Sequence, residues 1–284
     1  FVDITVLAGI NRSFGNGLGA VAADFNNDGF IDIFVANDRT VDQLWINKQG
    51  QRLEDEAAAW GCAVDDHGIA KAGMGVAAPD IDNDGDPDLL VVNFENETDS
   101  FYRNEGHYFA DMTARLGIAA ISRRHTRFGV VLADFDNDGL LDLFEANGKV
   151  DGNPARTPDA FAEPNTLYQG RRDGDSTLTF ATVTPAGGVD PPLNYTSRGL
   201  ALGDVNRDGA LDLLLVNRDG PAQLLINRRS RGQSVRFRVV DAAGHGVPGA
   251  RVSALVGGER HYRSVQVGGS YLAAHDPEVY LGIG

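Results

Sequence analysis

One cysteine, Cys62, stands in a chain of 284 residues. That count excludes an internal disulfide and a thiolate metal cluster. No apolar run is long enough to cross a bilayer, so direct membrane insertion is not expected. Basic residues are outnumbered, with 25 Lys and Arg against 40 Asp and Glu and a formal net charge of -15. This balance, with no Lys/Arg groove visible, argues against nucleic acid or an anionic membrane surface as the main partner. The histidines His67, His107, His125, His245, His261 and His275 show no His-Glu-x-x-His or other tight transition-metal spacing. Ser270, in Gly-Gly-Ser-Tyr, lacks a nucleophile elbow and reads as a turn residue. No catalytic residue and no organic cofactor site is assigned.

The acidity is concentrated in four copies of a nine-residue loop. These begin at Asp24, Asp80, Asp134 and Asp204, at intervals of 56, 54 and 70 residues. Positions 1, 3, 5 and 9 carry side-chain oxygens: Asp24, Asn26, Asp28 and Asp32; Asp80, Asp82, Asp84 and Asp88; Asp134, Asp136, Asp138 and Asp142; Asp204, Asn206, Asp208 and Asp212. Position 6 is Gly29, Gly85, Gly139 or Gly209, which lets the chain turn so that the oxygens point inward. A hard cation such as Ca2+ takes six to eight oxygens. The expected cage adds the backbone carbonyl of position 7, from Phe30, Asp86, Leu140 and Ala210, and water. About four structural Ca2+ are expected, and they would cancel roughly half of the formal charge. Glu145 fills position 12 of the third loop as in an EF-hand, but flanking helices are lacking, and it is expected to face outward from a blade.

The same grammar surrounds each loop. A Gly-rich run enters it, an apolar run ending in Asn37, Asn93, Asn147 or Asn217 leaves it, and a third run follows. A fourth run is read at Phe1–Thr5, Phe109–Thr113 and Phe180–Thr184. Short β-branched runs bounded by Gly, Asn and Asp are strands. Four per period of about 55 residues describe an all-β chain, a β-propeller of four-stranded blades. At least four blades are present, and a parent ring of six to eight is expected. The stretch 148–164 reads as a rim loop. Trp45 and Trp60 are expected in the core and Cys62 as a small buried residue. After residue 230, beyond the basic cluster 228–231, alternating strands without a metal loop indicate a small β module over 231–284. The chain opens at Phe1, and we read it as an excerpt from a longer polypeptide.

The four loops with their flanking strands resemble the FG-GAP-like or VCBS repeats of integrin-type propellers over residues 1–230. The runs Gly246–Val252, Val267–Leu272 and Asp276–Gly284 resemble part of an ASPIC/UnbV module over 231–284. Together they are similar to the cartilage-acidic-protein-like family. That resemblance implies a secreted or extracellular calcium-binding propeller, with the periplasm or cell surface as variants, and no enzymatic activity. The leading expectation is a recognition or adhesion scaffold for extracellular protein or carbohydrate. The alternative is a metal-assisted lyase or hydrolase with a pocket at the propeller axis or module junction.

Overall fold

The computed structural model describes residues 1–151, 159–172, 178–228 and 232–284. Each loop lies between the first two strands of an antiparallel sheet, so the repeat read from the sequence is the repeat of the fold. The first blade is β1 (Gly17–Ala23), β2 (Asp32–Asn37), β3 (Gln43–Asn47) and β4 (Leu53–Asp55), in that order. The second is β5 (Val76–Ala77), β6 (Leu89–Val91), β7 (Ser100–Asn104) and β8 (Phe109–Asp111). The third begins with β9 (Arg127–Ala133) and β10 (Asp142–Asn147). After the short strand β11 (Glu163–Pro164) it continues with β12 (Thr166–Arg172) and β13 (Leu178–Thr182). A short strand β14 (Asn194–Tyr195) pairs with β11, so the stretch read as a plain rim loop carries a strand at its end. Residues 152–158 of that loop and 229–231 of the basic cluster lie outside the described residues. The fourth blade has three strands among the described residues, β15 (Ser197–Gly203), β16 (Asp212–Asn217) and β17 (Gln223–Leu225).

Blades stack because strand side chains alternate between two faces. Leu89 and Val91 pack with Phe34, Leu44 and Trp60 of the first blade, whereas Leu90 and Val92 pack with Val130, Leu143 and Tyr168 of the third. Phe144 turns from Leu143 toward Leu200 and Leu213 of the fourth. A blade with neighbours on both sides is therefore shielded on both faces, and β6 and β10 are wholly buried. In β16 the alternation leaves Leu214 and Val216 exposed. Trp45, Trp60 and Cys62 are buried, as expected.

The Gly-rich entering runs have a packing cause. A methyl group at Gly19 would overlap the Met74 carbonyl, and one at Gly75 the Phe128 carbonyl. At Gly129 it would meet the Arg198 carbonyl at 2.9 Å. The innermost strands of successive blades thus approach backbone to backbone, which only glycine permits.

One strand assignment fails. Phe1–Ile4 pairs with nothing among the described residues, and Thr5–Ala8 forms a helical turn, α1, closed by Gly9 at φ 84°. An outer strand forms by pairing with the third strand of its own blade, and Phe1–Ile4 has no such partner among the described residues. The same Asp-to-N–H contact nevertheless recurs, from Thr5 to Asp3 and from Thr113 to Asp111.

The C-terminal residues form two antiparallel pairs, β18 (Ser234–Phe237) with β21 (Val279–Gly282), and the hairpin β19 (Arg251–Val256) with β20 (Glu259–Ser264). The segment after β20 runs across the innermost strands. Ser270 exchanges both backbone hydrogen bonds with Val76, and its Oγ accepts the Val130 N–H at 3.0 Å. Asp276 N–H donates to the Leu202 carbonyl at 2.9 Å.

Candidate metal centres

In each loop the carboxylates first build the turn. The position-1 Oδ2 accepts the glycine N–H of position 6, at 2.9 Å for Asp24, 2.9 Å for Asp80, 2.8 Å for Asp134 and 3.0 Å for Asp204. The position-5 Oδ1 accepts the position-7 N–H, from Phe30 to Asp28, Asp86 to Asp84, Leu140 to Asp138 and Ala210 to Asp208. Position 9 staples the blade. Asp32, Asp88, Asp142 and Asp212 each accept the position-2 N–H on Oδ2, and on Oδ1 an N–H at the third strand, from Asn47, Asn104, Gly170 and Asn227. Each carboxylate oxygen has more than one acceptor site, so these bonds leave lone pairs for a cation.

Loops two and three gather the sharpest sets. Oxygens of Asp80, Asp82 and Asp88 lie within 4.8 Å of one another, as do those of Asp134, Asp136 and Asp142. Positions 1, 3 and 9 meet there, whereas Asp84 and Asp138 of position 5 stand outside these tightest groups. In loops one and four the Asn26 and Asn206 amides donate to Asp28 and Asp208 at 3.1 and 2.8 Å. A third gathering, Asp65, Asp66 and His67, lies on a turn with Asp66 and His67 exposed, in which Asp65 Oδ1 already accepts two N–H groups.

Two observations fit a cation to loops two and three. Asp80 Oδ1 and Asp136 Oδ1 are buried without a hydrogen-bond partner, which is costly unless something else meets the oxygen. The carboxyls also resist ionisation together. Burial, then the charges of Asp84 and Asp82, pushes Asp80 up to about 7. Burial, then Asp138 and Asp136, raises Asp134 to about 6, and burial, then Asp136 and Asp134, raises Asp142 to about 7. Clustered carboxylates of this kind are the donor set a divalent cation neutralises. Asp32 follows the same pattern, raised to about 6 by burial and then by Asp28 and Asp24.

Glu145 does not face outward. It is 1% exposed, and Tyr168 Oη donates to its Oε2 at 3.2 Å. The outward expectation fails because β10 has a blade on either side, so neither of its faces meets solvent. Arg251 and Arg263, which touch the loops from the C-terminal strands, escaped the sequence reading. A recurring asparagine at position 4 (Asn27, Asn83, Asn137) was the available signal.

An FG-GAP-like repeat matches residues 24–91 and 80–145, which takes in the first three loops. Along nearly its whole length the chain is similar to cartilage acidic protein 1. It is 26% identical to the Mus musculus protein, 27% to that of Xenopus tropicalis and 26% to that of Homo sapiens, with 99% of this chain aligned to each. The aligned part is 42%, 42% and 41% of those proteins, so the chain spans about two fifths of the length of these curated relatives. Among solved structures, an Agrocybe aegerita lectin described as recognising non-reducing terminal N-acetylglucosamine aligns over 87% of this chain and 65% of its own. That alignment has 17% identity and a TM-score of 0.42.

Proposed function

We propose that this chain belongs to a secreted, calcium-stabilised β-propeller that acts as a recognition or adhesion scaffold. Its rim contacts extracellular protein or carbohydrate, and residues 231–284 serve as an ASPIC/UnbV-like β module. The observation that carries the calcium part is the pair of buried, unpartnered oxygens, Asp80 Oδ1 and Asp136 Oδ1, each inside a three-carboxylate group. Positions 1, 3, 5 and 9 with the position-7 carbonyls would hold the ions, which supply charge compensation. Weak oxygen loops load where calcium is millimolar, which supports an extracellular setting. The similarity to cartilage acidic protein 1 supports the same reading.

The enzyme reading has one observation in its favour. A cavity of about 120 Å3 at the junction of propeller and C-terminal strands is lined by Asp80, Asp134, Arg263, His275, Asp276 and Tyr280. Against it, His275 turns Nδ1 to the Leu202 N–H at 3.3 Å, and His261 is not part of that lining. The calcium-loaded protein should be screened against extracellular proteins and glycans, alongside a hydrolase and lyase screen. Saturable binding without turnover is expected. Turnover abolished by His275→Ala with calcium occupancy unchanged would move the function to the junction.

A further inference from the structure

The joints between adjacent loops share one pattern. Between the first and second, Arg251 Nη2 donates to the position-4 Asn27 Oδ1 and Nη1 to the position-6 Gly85 carbonyl. Between the second and third, Arg263 Nη1 donates to Asn83 Oδ1 at 2.8 Å and Nη2 to the Gly139 carbonyl at 3.4 Å. Between the third and fourth, Asn137 Nδ2 itself donates to the Gly209 carbonyl at 3.3 Å, which also accepts the Ser234 hydroxyl at 2.6 Å. Each joint therefore links position 4 of one loop to position 6 of the next. Residues 232–284 supply a donor at all three.

These two positions are where loop wrapping is most demanding. Asn27, Asn83 and Asn137 stand at φ 56°, 60° and 60°, and Gly85, Gly139 and Gly209 at 101°, 92° and 86°. Their oxygens are presented correctly only while the loop is wound about positions 1, 3 and 5. Those are the positions whose carboxylates repel one another without a counter-ion. The oxygens that the arginines bridge are neutral amide and carbonyl groups, so this two-pronged reach depends on loop order, although Arg263 also feels the Asp134 and Asp80 carboxylates and Asn27 Nδ2 donates to Asp86 Oδ1.

We infer that the C-terminal strands form a calcium-dependent clasp. Arg251 and Arg263 span the loop joints only when the loops are ion-wound, and loss of calcium frees β19 and β20 from the joints, while Ser270 and Asp276 keep the following segment on the innermost strands. The inference rests on the calcium reading above and adds a moving part to it. Release would uncover the Asp80 and Asp134 side of the junction cavity, so the same ions that order the loops would also govern access to that face.

Hydrogen exchange of the whole chain, in calcium and in chelator, tests the clasp beside a calorimetric measure of calcium binding. In calcium, amides of β19 and β20 should be protected. Chelation should speed their exchange at least about tenfold, while β6 and β10 change far less. The Arg251→Ala/Arg263→Ala variant should exchange fast in β19 and β20 even in calcium, with calcium stoichiometry unchanged. If that variant does not fold, Arg263→Lys, which keeps the charge but loses the two-pronged reach, should show a smaller change of the same sign. Calcium binding with identical β19 and β20 exchange in both conditions would overturn the clasp and leave the calcium reading standing. Release by 1 M NaCl in saturating calcium would also overturn it, in favour of plain charge attraction. No calcium binding at all would overturn both.

Discussion

Arg127 Nε donates to Asp99 Oδ1 at 2.8 Å with both side chains fully shielded from solvent. The contact ties β9 of the third blade to the turn before β7 of the second. The other guanidinium donors reach the carbonyls of Ser122, His125 and Glu97. Removing one member of a buried pair strands the other charge. Arg127→Met should therefore cost about 3–5 kcal/mol in urea unfolding, and adding Asp99→Asn should recover part of the loss. An effect below about 1 kcal/mol, as for exposed pairs, would show that the pair is hydrated.

Glu145 joins that cluster. Burial, then the charge of Asp99, drives its carboxyl well above its ordinary value of 4.5. The folded protein holds a proton that the unfolded chain releases above that value. Its contribution is therefore complete at low pH and is lost as pH rises toward the folded pKa, at about 1.4 kcal/mol per pH unit. Glu145→Gln removes this slope. Melting temperatures at pH 5 and pH 8 should show the variant gaining on the parent at the higher pH. Parallel melting curves would mean that Glu145 is ionised in the fold.

Gly75 lies where the second blade's inner strand meets the Phe128 carbonyl. Gly75→Ala must part the two backbones and should destabilise by about 1–3 kcal/mol or more. Gly106→Ala, with open space around a turn glycine at φ 87°, carries only the backbone penalty of a left-handed residue, about 1–2 kcal/mol. Denaturant midpoints of the two variants compare close approach with conformation alone.

Strands, loops and blades were legible because both signals are local. Leu89-Leu-Val-Val92 alternates between two blade faces, and each Asp-Gly turn carries its own hydrogen bonds. Burial of Glu145 was not legible, since its counterparts Arg127 and Asp99 come from different blades. The strand expected at Phe1–Thr5 depended on a partner strand rather than on its own residues. Arg251 and Arg263 read as ordinary strand residues until the fold laid β19 and β20 across the loop joints.

Asp136 offers one oxygen to Gln169 Nε2 at 2.9 Å and keeps Oδ1 without a partner. Asp136→Ala should lower calcium stoichiometry by about one equivalent and leave the β-sheet circular dichroism intact, since repeats couple mainly through packing. Loss of every site together would instead indicate one cooperative cluster.

Calorimetric titration of calcium into the metal-stripped chain, with thermal unfolding in calcium and in chelator, reaches the central claim most directly. Ions that bind only the folded state stabilise it by mass action. Saturable binding near four equivalents and a clear fall in melting temperature on chelation are predicted. Fewer than two equivalents, or unfolding indifferent to the chelator, would contradict the account.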